Sequence, residues 1–221
     1  MLIAKEVCKS YNGYQILNQI NISIHTGEMV AIMGSSGAGK TTLLHLISTL
    51  DKPDSGSLTL DGTDLLGLAG NALATFRNKK IGFVFQFHNL LPEFTLFENI
   101  CMPGYIGLFP QKSVTQRANE LLALLGISHR KNHLPEAVSG GERQRAAIAR
   151  ALINRPSIVF ADEPSGNLDA QNAEVLHGLF LDLSKRLKQT VVLVTHNQSL
   201  ATIADRVFLL EDGILQPAKS W

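Results

Sequence analysis

Cysteine is scarce in this sequence: Cys8 and Cys101 are the only two, and they lie far apart. A disulfide framework and a thiolate metal site are thereby excluded, and free, reduced thiols in a cytosolic protein are expected. An excess of one charge is missing too. Lys plus Arg number 20 against 19 Asp plus Glu, a formal net charge of +1, which argues against a broad basic face and against nucleic acid as a partner. Apolar runs such as Val191–Val194 and Ile158–Ala161 are far too short to cross a bilayer. Met1-Leu2-Ile3-Ala4-Lys5-Glu6 is interrupted by charge before the apolar core of an export signal can form. Internal repeats and low-complexity tracts are also lacking. What remains is 221 residues with 45% apolar and 18% charged side chains, enough for one compact domain, or one core carrying an inserted subdomain.

The chain divides by texture. Tyr14 to Ile24 is strand-like, Met29 to Met33 is a continuous apolar run of the kind buried on both faces, and Thr41 to Leu50 reads as a helix. Ser57 to Leu60 and Ile81 to Phe85 read as further strands. From about Phe94 to Arg155 the pattern is helical, with one helix over Val114 to Leu125 and another from Ser139 to Asn154, just short of Pro156. Strand Ser157–Ala161, helix Asn172–Leu187, strand Thr190–Thr195 and strand-like Arg206–Leu210 follow. Strands and helices alternating on both sides of a helical block imply an α/β core with a helical insertion.

Two stretches carry chemistry by themselves. Gly34-Ser35-Ser36-Gly37-Ala38-Gly39-Lys40-Thr41 fits the phosphate-loop pattern at every fixed position, between an apolar strand and a helix. Its glycines let backbone N–H groups turn onto a phosphate chain at a positive helix end; Lys40 reaches the β- and γ-phosphates and Thr41 sits on Mg²⁺. Ser157 to Glu163 is an apolar strand ending in two acids, at the sheet edge where α/β proteins bind ligands. Asp162 suits a Mg²⁺ partner held through water, and Glu163 a base that polarises the attacking water. A third stretch, Ser139-Gly140-Gly141 before a helix, offers a second anion site from the Ser139 hydroxyl and free amides.

With that third stretch the chain resembles the ATP-binding cassette (ABC) ATPases, over about Lys5 to Gly213. Ser139-Gly140-Gly141 matches the family's signature. Tyr11, Gln86, Ser165-Gly166-Asn167-Leu168-Asp169 and His196 fall in the family's order. The resemblance implies an α/β P-loop NTPase domain with a mixed sheet core, an N-terminal antiparallel β subdomain and an inserted helical subdomain. Residues 1–86 and 156–221 then form the nucleotide-binding core, and 87–155 the helical part that bears the signature. It implies ATP and Mg²⁺ as cofactors, with Gly34 to Thr41, Thr42 and Tyr11 on the nucleotide and Thr41, Gln86 and Asp162 on the metal. It further implies a head-to-tail homodimer on ATP binding, with Ser139, Gly140 and Gly141 of one copy closing the other's ATP and Asp169 linking the two sites. Glu163, His196 and Gln86 carry the catalytic roles: His196 holds the γ-phosphate and positions water, and Gln86 senses that phosphate. Tyr11 is the aromatic set against adenine, although Tyr14 lies three residues on and either ring can pack against core. His129 and His133 have no Cys or carboxylate at ligand spacing, and His25, His45, His88 and His177 carry no functional reading.

Gln86 to Thr95, followed by Glu98-Asn99, is similar to the ATPase subunits of lipoprotein-releasing systems (the LolD family). Ser139–Leu152 and Asp162–Asp169 are similar to them and also to macrolide-efflux-type and cell-division cassettes. The stretch between Tyr11 and Ile16 is shorter than in the family. The resemblance implies integral membrane permease subunits as partners and a peripheral position on the cytoplasmic face of the inner membrane. Phe87, Leu90, Leu91, Pro92, Phe94 and Phe97 are the candidate contact with those subunits, core filling being the alternative. A soluble cassette protein of translation or DNA repair needs two cassettes or a long coiled-coil insertion, and a P-loop kinase would lack the Ser139 signature.

Overall fold

The computed structural model describes residues 1–218; the last three residues of the expected 156–221 core segment lie outside them. Strands β1 (Leu2–Tyr11), β2 (Tyr14–Ile24), β4 (Ser55–Leu60) and β5 (Thr63–Asp64) form an antiparallel sheet in the order β2-β1-β4-β5. The β1–β2 hairpin turns on Asn12-Gly13, with φ of 52° and 83°, the doubly left-handed turn that matches strand twist.

A second sheet runs β10-β9-β3-β8-β7-β6. Its parallel members are β9 (Arg206–Glu211), β3 (Met29–Met33), β8 (Thr190–Val194), β7 (Ile158–Asp162) and β6 (Ile81–Val84). The edge strand β10 (Ile214–Pro217) is antiparallel to β9. Every residue of β3 and β8 is buried, because both faces of the sheet are covered. Met29, Ala31, Val159, Ala161, Val191 and Leu193 face one apolar cluster; Val30, Ile32, Ile158, Phe160, Val192 and Val194 face the other.

The second cluster also holds α1 (Lys40–Ile47) and the antiparallel sheet. The first holds α3 (Leu96–Ile106), α4 (Gln111–Leu124), α5 (Gly140–Leu152) and α6 (Ala170–Lys185). The inserted helices thus share one core with the sheet. Two further helices, α2 (Gly70–Lys80) and the single turn α7 (Gln198–Ala201), complete the chain. No described helix is long and apolar enough to cross a membrane.

One close approach ties the loop after β3 to the sheet. A Cβ on Gly34 would stand 2.4 Å from the backbone oxygen of Leu210 in β9, so only glycine lets the chain leave β3 there. Gly178, in α6, meets nothing within 4 Å. Gly34→Ala should therefore cost about 1–3 kcal/mol by overpacking. Gly178→Ala should add about 0.5–1 kcal/mol by helix propensity. Urea unfolding midpoints of the two variants check both signs.

Candidate active site

Parallel pairing collects the chemistry at one edge. Ile32 of β3 pairs with Val194 of β8, Val194 with Asp162 of β7, and Ala161 with Val84 of β6. The loop 34–39, Thr195-His196, Asp162-Glu163 and Gln86 therefore leave four neighbouring strands on the same side. At a strand spacing of about 4.8 Å, the row from β3 to β6 is about 14 Å long.

The loop ends on Gly39, whose φ of 95° caps α1 without any side-chain hydrogen bond, and the first turn of α1 has no acidic residue. Its leading amides are thus free for an anion. Room for a Cβ on Gly39 is taken by Ile16 and Leu17 of β2, at 3.1 and 3.2 Å. Lys40 is only 9% exposed, and its Nζ donates to the backbone oxygens of Gly34 and Ser35 at 3.0 and 2.9 Å. Thr42 follows in the first turn of the same helix.

Thr41 Oγ1 lies 3.2 and 3.4 Å from the two carboxylate oxygens of Asp162. A hydroxyl against a carboxylate is an oxygen donor set that fits a hard cation such as Mg²⁺. Burial pushes the Asp162 carboxyl up from its ordinary range; the Thr41 hydrogen bond opposes this, and the Glu163 charge adds to it.

Glu163 has a φ of 42°, a left-handed backbone that is uncommon outside glycine and concentrates at functional sites. Its N–H is held by Val194 O at 2.8 Å. Its carboxylate accepts from Thr195 Oγ1 at 3.0 Å, from the His196 amide at 3.0 Å, and from His196 Nδ1 at 2.8 Å. An ionised carboxylate only accepts, so Nδ1 carries the proton; the His196 side chain is otherwise open, at 70% exposure. Thr195, in the sequence only the last residue of a strand, is signalled as functional by nothing but its place beside His196.

Gln86 lies against the segment after Glu163. Its backbone oxygen accepts from Asn167 Nδ2 at 3.2 Å, and its Nε2 is 3.0 Å from where a Gly166 Cβ would be. Beyond it, His88 and Asn89 both have positive φ, 63° and 47°. Arg150, near the end of α5, holds both their carbonyls at 2.7 and 2.6 Å.

At the other end of α5, Ser139 is a side-chain cap. Its hydroxyl accepts from the Glu142 amide at 3.2 Å and contacts the Glu142 carboxylate at 2.9 Å, while its own N–H donates to that carboxylate at 2.8 Å. The expected anion site is therefore not a bare helix end; it already holds a carboxylate. Gly141 packs against Asn172, whose Oδ1 lies 2.5 Å from the position of a Cβ, and Asn172 is gripped by Asp169, the cap of α6.

Tyr11 is at the hairpin tip, paired with Tyr14. Its hydroxyl donates to Asp51 at 2.5 Å, with Lys9 Nζ 5.0 Å from the ring centre. That hydrogen bond, with burial and nearby carboxylates, pushes its hydroxyl up to about 12. The ring is 45% exposed, against 76% for Tyr14, so neither is core.

The family model described as ABC transporter matches residues 17–166. The chain belongs to the ABC transporter family. It binds ATP and is an ATPase. It is 50% identical to the lipoprotein-releasing system ATP-binding protein LolD of Cytophaga hutchinsonii, over 97% of this chain and 98% of that one. Identity to the LolD protein of Bacteroides thetaiotaomicron is also 50%, over 98% and 99%. Its fold is similar to the dimeric structure of MJ0796, a bacterial ABC transporter cassette, at 37% identity and a TM-score of 0.89 over the whole of both chains. A dimeric post-hydrolysis state of MJ0796 bound to ADP and Pi matches with the same TM-score at 36% identity.

The half-buried, partly desolvated Asp162 charge weakens the nucleotide-free protein. Because its folded pKa is raised, that cost is absent below the unfolded value of about 3.9, grows as pH rises through the folded value, and is complete above it. Asp162→Asn should therefore melt higher than wild type without nucleotide at neutral pH. The gap should shrink as pH falls into the ordinary carboxylate range, as read by calorimetry across pH.

Proposed function

We propose that the chain is the ATP-hydrolysing subunit of a lipoprotein-releasing ABC transporter, peripheral on the cytoplasmic face of the inner membrane. The observation that carries the catalytic part is the Glu163 carboxylate, fixed by Thr195 and His196, which leave the strand next to the one that launches the phosphate loop. The cargo part rests on the name shared by the relatives.

In this reading the amides of Gly34 to Thr42 cradle the phosphates, and Lys40 exchanges two loop carbonyls for β- and γ-phosphate oxygens. Thr41, Gln86 and Asp162 would hold Mg²⁺, which would supply neutralising charge to the phosphates. Glu163 polarises the attacking water, His196 steadies the γ-phosphate, and Gln86 registers its presence. Tyr11 takes the adenine. Two copies close head to tail, so that Ser139, Gly140 and Gly141 of one complete the other's site and Asp169 couples the pair. The division into a core of 1–86 with 156–221 and a helical part of 87–155 belongs to the same reading; the packing of α3, α4 and α5 on one another supports it, although they also share an apolar cluster with the sheet.

Integral subunits would meet the segment after Gln86. Phe87 is 72% exposed, and Leu91 and Phe94 are 40% and 39%. Leu90 and Phe97 pack against the core instead, so the contact narrows to the exposed three with Pro92. Asn99 clamps the backbone here, accepting from Leu91 N–H and donating to the oxygens of Leu91 and Phe94.

Glu163→Gln should bind ATP and accumulate as an ATP-bound dimer while turnover falls more than ~10²-fold. Steady-state hydrolysis and gel filtration with ATP check this, and near-native turnover would remove Glu163 from the role. Leu91→Asp should fold and bind ATP, because Asn99 bonds the Leu91 backbone rather than its side chain. It should no longer co-purify with integral subunits from solubilised membranes. Full complex assembly would put the docking surface elsewhere.

A further inference from the structure

Two helix ends face the anion chemistry, and they are built differently. α1 begins bare, with no acid in its first turn. α5 begins with its own carboxylate folded over it: Glu142 Oε2 takes both the amide and the hydroxyl of Ser139, at 2.8 and 2.9 Å. Each is a sound solution for an isolated helix, the second being a capping box. For a helix end that must receive a γ-phosphate the second is a handicap. The Ser139 hydroxyl has one proton, and Glu142 competes with the phosphate for it. A phosphate oxygen bonded to the same hydroxyl would also stand only about 5 Å from the carboxylate, where like charges repel.

The remaining oxygen of Glu142 answers this conflict. Oε1 accepts from Arg130 Nε at 2.8 Å and lies 3.3 Å from His129 Nε2. Burial by itself would raise the Glu142 carboxyl; Arg130 and Ser139 outweigh it and hold the group at about 2. Arg130 comes from the short turn Ser128–Arg130, outside α5, and makes no other side-chain hydrogen bond or ion pair among the described residues.

We infer that Arg130 is a positioning residue for the ATP site completed in trans: by drawing charge from Glu142, it frees the Ser139 hydroxyl to turn to the γ-phosphate of the partner copy's ATP. The inference rests on the head-to-tail reading above. Its test uses the full chain and MgATP, following nucleotide binding by the monomer, ATP-driven dimer formation in the Glu163→Gln background, and kcat in the native background.

Arg130→Gln should bind nucleotide as wild type, because the phosphate loop is untouched, but lose about tenfold in dimer formation and kcat. Arg130→Lys should recover part of the loss. Glu142→Gln keeps a residue suited to the capping box without the charge, and should dimerise at least as well as the native chain. The double variant Arg130→Gln/Glu142→Gln should return to the level of Glu142→Gln alone, a rescue that a merely structural Arg130 would not give. Native dimer formation and kcat in Arg130→Gln, or a double variant no better than it, overturns the inference. Ser139→Ala separates the two levels. If it too leaves dimer and turnover native, the trans site itself is refuted; if it impairs them while Arg130→Gln does not, only the role of Arg130 falls. Should Arg130→Gln fail to fold, Glu142→Gln decides alone, and a drop in its dimer formation overturns the inference.

Discussion

The parallel pairing of β3, β8, β7 and β6 is the constraint on which everything else depends. Parallel strands present all their C-terminal ends on one side, and each strand is separately connected, so groups remote in sequence arrive side by side. β8 is the pivot: it lies between the strand that launches the phosphate loop and the strand that ends in Asp162. Burial on both faces makes a slip in register expensive, since one residue of shift would exchange the two apolar clusters. The rigidity of the edge is therefore a property of the core.

Against that rigid frame, the edge itself is held in unfavourable states. Glu163 occupies a left-handed backbone, Asp162 is a half-buried, partly desolvated carboxylate, and Lys40 is folded onto its own loop. None of these is what isolated stability would select. In the proposed reading each would be relieved or used when a polyphosphate and its cation arrive, so that the nucleotide would act as a missing part of the fold.

Much of this was legible in the sequence because the signals are local. Met29 to Met33 announced a doubly buried strand, the phosphate loop carries its spacing in eight consecutive residues, and the acids after β7 stand next to each other. Elements without such a signal were missed, as α2 was, or left without bounds inside a helical stretch, as α3 was. α2 has no buried residue at all, so it carries no apolar period to read. α3 contains Pro103 and Gly104, two breakers; Gly104 is tolerated because Val114 packs where its side chain would be. Contacts between distant segments were equally hidden. Nothing in the sequence says that Asn172 lies against Gly141, that Thr195 holds Glu163, or that Arg130 reaches Glu142. Ser139 was read as a free anion donor because its three-residue motif is visible and its cap is not.

The two ends of α5 have different correspondents. Its first residue follows Ser139, while Arg150, near its last turn, grips the carbonyls of His88 and Asn89 beside Gln86. A helix of 13 residues is about 20 Å of stiff rod. Any shift of the Gln86 segment therefore pulls on one end of a lever whose other end carries the signature glycines. In the proposed head-to-tail pair, a change at one copy's nucleotide that moves the Gln86 segment would therefore be carried along this rod to the surface that meets the other copy's nucleotide.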